Sequence, residues 1–156
     1  MKTKRIIGID PGLTCTAFFI IDIDTNIKKN IFSGNKLIDY GFIKPKIIKK
    51  RLLEIFNFIE YTIIKYKPEI MILETSYVNM NPATSISFGY ARAMCKLCAE
   101  QYALELFELA PSTIKKNIAG HGHATKEQIA NTLRIFGTYN EHITDALAIC
   151  LSYKFL

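Results

Sequence analysis

The 156-residue chain has no apolar stretch that reaches the ~20 residues a membrane-crossing helix needs. Asp10, Asp22 and Asp24 interrupt its first hydrophobic region. Lys2, Lys4 and Arg5 precede an apolar patch, but that patch is too short and too acidic for a secretory signal. The expectation is a cytoplasmic protein with no membrane partner. Repeats, low-complexity segments and linkers are also missing, which leaves a single domain over residues 1–156. Only one C-x-x-C pair occurs, Cys95 and Cys98, whereas a structural zinc takes four ligands, most often as two such pairs. His121 and His123 could complete a set, but their spacing fits no common finger. Cys15, Cys98 and Cys150 sit among apolar neighbours and read as buried free thiols.

Charge of one sign is in modest excess, with 20 Lys and Arg against 14 Asp and Glu, a net +6. That suits a polyanionic partner without identifying one. Hydrophobic residues make up 49% of the chain, which excludes a disordered polymer and suffices for one sizeable core.

The apolar residues are arranged first as strands. "RIIGID", "TCTAFFIIDID" and "KLIDYGFIK" read as three strands of an antiparallel meander, with "TNIKKNIFSGN" a loop or ragged strand between the last two. The period then changes. Leu52, Leu53, Ile55, Phe56, Ile59, Ile63 and Ile64 repeat at helical spacing, which predicts a helix over about 47–66 that Lys67-Pro68 stops. "EIMILE" is a fourth strand, followed by the loop-like "TSYVNMNPATS" and a helix over about 82–102 that starts at Pro82. "LELFEL" is a fifth strand. Pro111 or Ser112 opens another helix, the run from Gly120 to His123 breaks it, Thr125 caps the next and Gly137 ends that one. A last helix starts near Glu141. The order β-β-β-α-β-α-β-α-α-α predicts an α/β fold in which strands one, four and five run parallel in a mixed sheet.

In "IGIDPG" a carboxylate, Asp10, stands where a buried strand meets its Pro-Gly turn. Turn chemistry alone accounts for an Asp there. Glu74, however, ends strand four in the same way, so neighbouring strands would bring both to one end of the sheet, where open α/β sheets bind ligands. His142 and Asp145 lie three apart and share a helix face inside the apolar segment "HITDALAI". Taken singly, each has an ordinary structural explanation: a capped turn, an ion pair, a surface histidine. Gathered together, three carboxylates and an imidazole repel or protonate unless a cation joins them. Oxygen ligands suit Mg²⁺ or Mn²⁺, and two such ions can bracket a phosphodiester.

At this point the chain resembles the RuvC family of Holliday junction resolvases. "IGIDPG" looks like the family's opening strand with its first catalytic Asp. Glu74, Tyr77, Asn81, Thr84, Gly89, Ala91 and Arg92 match the family's spacing of Glu, aromatic, Asn, Ser/Thr, Gly and Ala-Arg. "APSTIKKNIAGHGHATKEQI" resembles its basic segment, and "HITDALAI" its closing motif, whose first position is Asp or His. Residues of about 25–65 carry no comparable match and rest on pattern alone. The resemblance implies a ribonuclease H-like fold, a five-stranded mixed sheet flanked by helices. It also implies a homodimer that binds four-way or branched DNA and cuts two strands symmetrically, with a branch-migration motor complex as a further candidate partner. By the same resemblance, Asp10, Glu74, His142 and Asp145 hold Mg²⁺ or Mn²⁺, two ions per active site. Lys115 and Lys126 would contact phosphates at or near the cut, and Tyr77 would stack at the crossover. Asn81 and Arg92 complete the implied DNA contacts, with the helix carrying Arg92 at or near the dimer interface. Tyr77 stands where the family usually has Phe, Thr75-Ser76 are more polar than usual, and Ala93 replaces a Gly. These departures suggest a divergent member, of phage, viral or organellar type.

Two other classes compete. "GIDPGLT" also fits the Asp-x-Gly phosphate turn of the actin, Hsp70 and sugar kinase superfamily. Those ATP-binding proteins need two such domains and a second phosphate loop, and 156 residues provide one domain and no such loop. The other is a non-catalytic branched-DNA-binding protein stapled by zinc through Cys95 and Cys98.

Overall fold

The structure is a computed structural model that describes residues 2–75 and 82–156. Five strands form one sheet: β1 (Thr3–Asp10), β2 (Thr16–Asp24), β3 (Asn35–Ile43), β4 (Ile70–Glu74) and β5 (Glu105–Leu109). Helices α1 (Arg51–Tyr66), α2 (Pro82–Gln101), α3 (Pro111–Ala119), α4 (Lys126–Leu133) and α5 (Glu141–Leu151) follow in the expected order. The sheet runs β3-β2-β1-β4-β5. β1–β2 and β2–β3 are antiparallel, while β1–β4 and β4–β5 are parallel. The mixed sheet read from the sequence is therefore the one observed.

Local chemistry accounts for the boundaries. The segment before β3 is a loop, closed where the Asp24 amide donates to the Gly34 carbonyl at 2.8 Å. Gly34 takes φ +68, which glycine adopts at little cost. The expected helix at residue 47 begins instead as a 3-10 turn, Ile48–Lys50, and becomes α-helical at Arg51. Thr125 and Gln128 form a reciprocal capping box at the start of α4, satisfying two amides that the helix leaves orphaned. β2 and β3 slip register between Ile20 and Ile21, a bulge with no counterpart in the apolar pattern.

Alternation along the strands sorts the core into two layers. Ile6, Ala17, Phe19, Ile21 and Ile72 face α3, α4 and α5. Ile7, Ile9, Ile20, Met71 and Leu73 face α1 and α2. Each fully buried Ile contributes roughly 1.5–3 kcal/mol of hydrophobic stabilisation before entropy is charged. α5 lies hard against β1. A Cβ built on Gly8 would stand 2.5 Å from the Ala146 carbonyl oxygen and 2.7 Å from Cys150 Sγ, so only glycine allows this approach. Among the described residues, no helix is long and apolar enough to cross a membrane.

Candidate active site

Asp10 and Glu74 are the last residues of β1 and β4, which pair in parallel up to Ile9 opposite Leu73. The two carboxylates therefore emerge side by side on the α5 face of the sheet. Asn140 caps α5 by accepting a hydrogen bond from the Ile143 amide at 3.0 Å. That fixes the first turn of the helix, and His142 and Asp145 face the sheet from it. His142 Nδ1 is 2.8 Å from Asp10 Oδ2. Asp10, Glu74, His142 and Asp145 line one cavity of about 380 Å³, together with Lys115 from α3 and Lys126 from α4.

The electrostatics of this cavity are those of crowded acids. Burial, followed by the Asp10 and Asp145 charges, pushes Glu74 up to about 7, with Lys115 and Lys126 opposing. Burial and the Asp10 charge push Asp145 up to about 6. Asp10 is also raised by burial, against the hydrogen bond and charge of His142. Even so, no three His, Cys, Asp or Glu side chains form a ready-made metal cluster among the described residues. Asp10 is engaged with His142. Three half-buried acids, with an imidazole beside one of them, nevertheless form a donor set that fits a hard divalent cation, which would relieve the cost of ionising them there.

Lys126 ion-pairs with Glu141, both side chains largely exposed. Such a pair contributes at most about 1 kcal/mol and exchanges readily for a phosphate. Glu141 was not among the residues expected here; its place beside His142 at the first turn of α5 is the only sequence signal that could have found it. Arg92 is elsewhere, on α2 in the other layer. Its guanidinium pairs with Glu108, which also meets Lys96 at 2.9 Å, and it does not line the cavity. Tyr77 and Asn81 lie outside the described residues. Cys95 and Cys98 are fully buried in the α1–α2 layer, while His121 and His123 are exposed between α3 and α4. Burial raises both thiols, Cys98 to about 12. The fold keeps these core thiols in the layer opposite the one that carries His121 and His123, so that rival loses its structural basis.

Residues 6–153 match the sequence profile of the family described as crossover junction endodeoxyribonuclease RuvC. The chain is 34% identical over 159 residues to the protein of that name from Ehrlichia ruminantium (strain Gardel), covering 96% of this chain and 97% of the relative. It is 35% identical to the one from Wolbachia sp. subsp. Brugia malayi (strain TRS), covering 97% and 94%. Its fold is similar to that of T. thermophilus RuvC solved in complex with a Holliday junction substrate, with a TM-score of 0.84 at 24% identity, over 97% of this chain and 93% of that one.

Proposed function

The chain belongs to the RuvC family of crossover junction endodeoxyribonucleases, and from that membership we propose that it resolves four-way DNA junctions by metal-dependent hydrolysis of two phosphodiester bonds, one per subunit of a homodimer. The observation that carries the reading is the convergence of Asp10, Glu74, Asp145 and His142 with two lysines in one cavity. A bound pair of Mg²⁺ or Mn²⁺ ions would supply an activated water and charge neutralisation at the phosphate. The three carboxylates and His142 would hold that pair. With Asp10 ionised, His142 Nδ1 carries the proton of their hydrogen bond, which leaves Nε2 free to act as a ligand or to accept a proton. Lys115 and Lys126 would draw the scissile or neighbouring phosphate into the cavity. Tyr77, on the segment after Glu74, would stack at the crossover, with Asn81 and Arg92 as further DNA contacts. A two-fold protein suits a junction cut symmetrically on two strands. The family match spans the Asp10 turn on which the ATP-binding alternative rested, and so favours the nuclease.

The test is incubation with a synthetic four-way junction and Mg²⁺, with products mapped to the nucleotide. Paired nicks are expected from the wild type. Asp10→Asn should bind the junction through its phosphate contacts and leave it uncut. An uncut junction with the wild type, or near wild-type cleavage by Asp10→Asn, would refute the assignment.

A further inference from the structure

The sheet does not end at the carboxylates. The row that carries Asp10 continues across β2 at Ala17 to Phe42 on the edge strand β3. Side chains along such a row share a face, so Phe42 stands on the same side as Asp10, two strands away, at about 10 Å. This side is otherwise covered by α3, α4 and α5. At Phe42 it is open, and the ring is 46% exposed.

The surroundings of Phe42 are those of a platform. Tyr40, two residues back on the same face and 49% exposed, stacks on Phe19 at 5.5 Å and meets the Tyr139 ring edge-on at 4.9 Å. It is thereby held in place although half of it is in solvent. Lys44 lies 5.9 Å from the Phe42 centroid, a cation at the ring. Lys44 follows directly on β3, whose last pair is Thr16 with Ile43, so it stands at the Asp10 end of the sheet. A recess of about 290 Å³ lined by Lys126, Tyr139 and Asp145 runs from the carboxylate site to Tyr139, the ring that Tyr40 meets. Phe42 and Tyr40 together present two half-exposed rings on one face of the edge strand. The nearby cation, the net charge of +6 and the continuity with the site select a polyanion bearing flat rings.

We propose that Phe42, supported by Tyr40 and flanked by Lys44, is a stacking platform for a base of the cut strand, one that flanks the scissile phosphate. The inference rests on the nuclease reading and deepens it: the enzyme would hold an unpaired base beside its carboxylates, in addition to any stacking by Tyr77. Lys44 would sit on the adjoining phosphate. Such stacking tolerates any base, because every base has a π-face.

The chain contains no tryptophan, so Phe42→Trp installs a single indole reporter. In an Asp10→Asn background, a four-way junction should quench its emission, and oligo-dT should do so more weakly. Phe42→Ala should lose about tenfold in junction affinity with an unchanged melting temperature, and Phe42→Tyr should restore it. Unquenched emission, or Phe42→Ala binding as the wild type does, would overturn the proposal. Emission that changes with protein concentration and not with DNA would assign this edge to a second copy of the chain and also overturn it. Cleavage of the same junction by the wild type, run in parallel, separates failure of the platform from failure of the nuclease reading.

Discussion

Glu74→Gln removes one of three carboxylates that the fold forces together while leaving the side chain's shape almost unchanged. Glu74 is pushed from 4.5 to about 7 by burial and by the charges of Asp10 and Asp145. An acid with a raised folded-state pKa is protonated in the native state over a range where the unfolded chain has already ionised. The native state then holds more protons, so stability falls as pH rises from about 4.5 to about 7 and is flat above that. This displacement corresponds to about 3 kcal/mol at pH 8. Part of that cost is repulsion shared with Asp10 and Asp145, and the cavity mouth is wet, so about 1–2 kcal/mol should be recovered by the substitution. Three carboxylates that pull the other way lie outside the window. Asp39, held low by the Tyr66 hydroxyl, Glu69, held low by Lys4, and Glu108, held low by Lys96 and Arg92 against its burial, titrate below it. Urea denaturation in EDTA should therefore find Glu74→Gln more stable than the wild type at pH 8 and nearly equal to it at pH 4.5. Mg²⁺ should stabilise the wild type far more at pH 8 than at pH 4.5, and the variant less than the wild type, because only ionised carboxylates bind it. A variant no more stable than the wild type at pH 8 without metal, or a gap that does not depend on pH, would refute the electrostatic account.

Lys115→Ala and Lys126→Ala should each slow cleavage and reduce the salt slope of junction binding by about one unit, as expected for one lost phosphate contact; binding isotherms over a salt series check this. His142→Ala should be severely impaired in cleavage with junction binding intact, because Asp10 loses its 2.8 Å partner and the proposed metal site a ligand, whereas His142→Asp should retain much of the activity in the same single-turnover assay.

What the sequence made legible was whatever it encodes by period and punctuation. Asp10 and Glu74 stand out because each closes an apolar run at a turn, and parallel strands then bring them together without further information. His142 and Asp145 are legible from helical spacing alone. Contacts made by long side chains are not encoded this way. The Lys126–Glu141 pair joins residues on different helices, and Lys154 is 3% exposed with its ammonium donating to the Ile27 carbonyl at 3.0 Å. Nothing in "SYKFL" marks that lysine as buried, because the loop that covers it lies more than a hundred residues away. The exposure of Phe42 is hidden for a similar reason. A strand's alternation reveals which residues share a face, but the length of the helices opposite decides how far that face is covered.

The same close packing that assembles the site also charges it. Gly8 lets α5 settle onto the β1 backbone, which holds Asp145 near Asp10 and shields both from water. Shielding raises the pKa of each acid, and the Asp10 charge raises Asp145 further, while His142 and Lys126 hold Asp10 back. A looser helix would relieve the repulsion, but it would also draw His142 and Asp145 away from Asp10 and Glu74, the other two groups proposed to hold the metal. The native state therefore carries an electrostatic cost that the apolar layer beneath α5, from Ile143 to Leu151, must offset. A cation binding there recovers that cost as affinity. On this argument the tightness of the Gly8 contact and the strength of metal binding are one property of the fold, set by how closely α5 can approach β1.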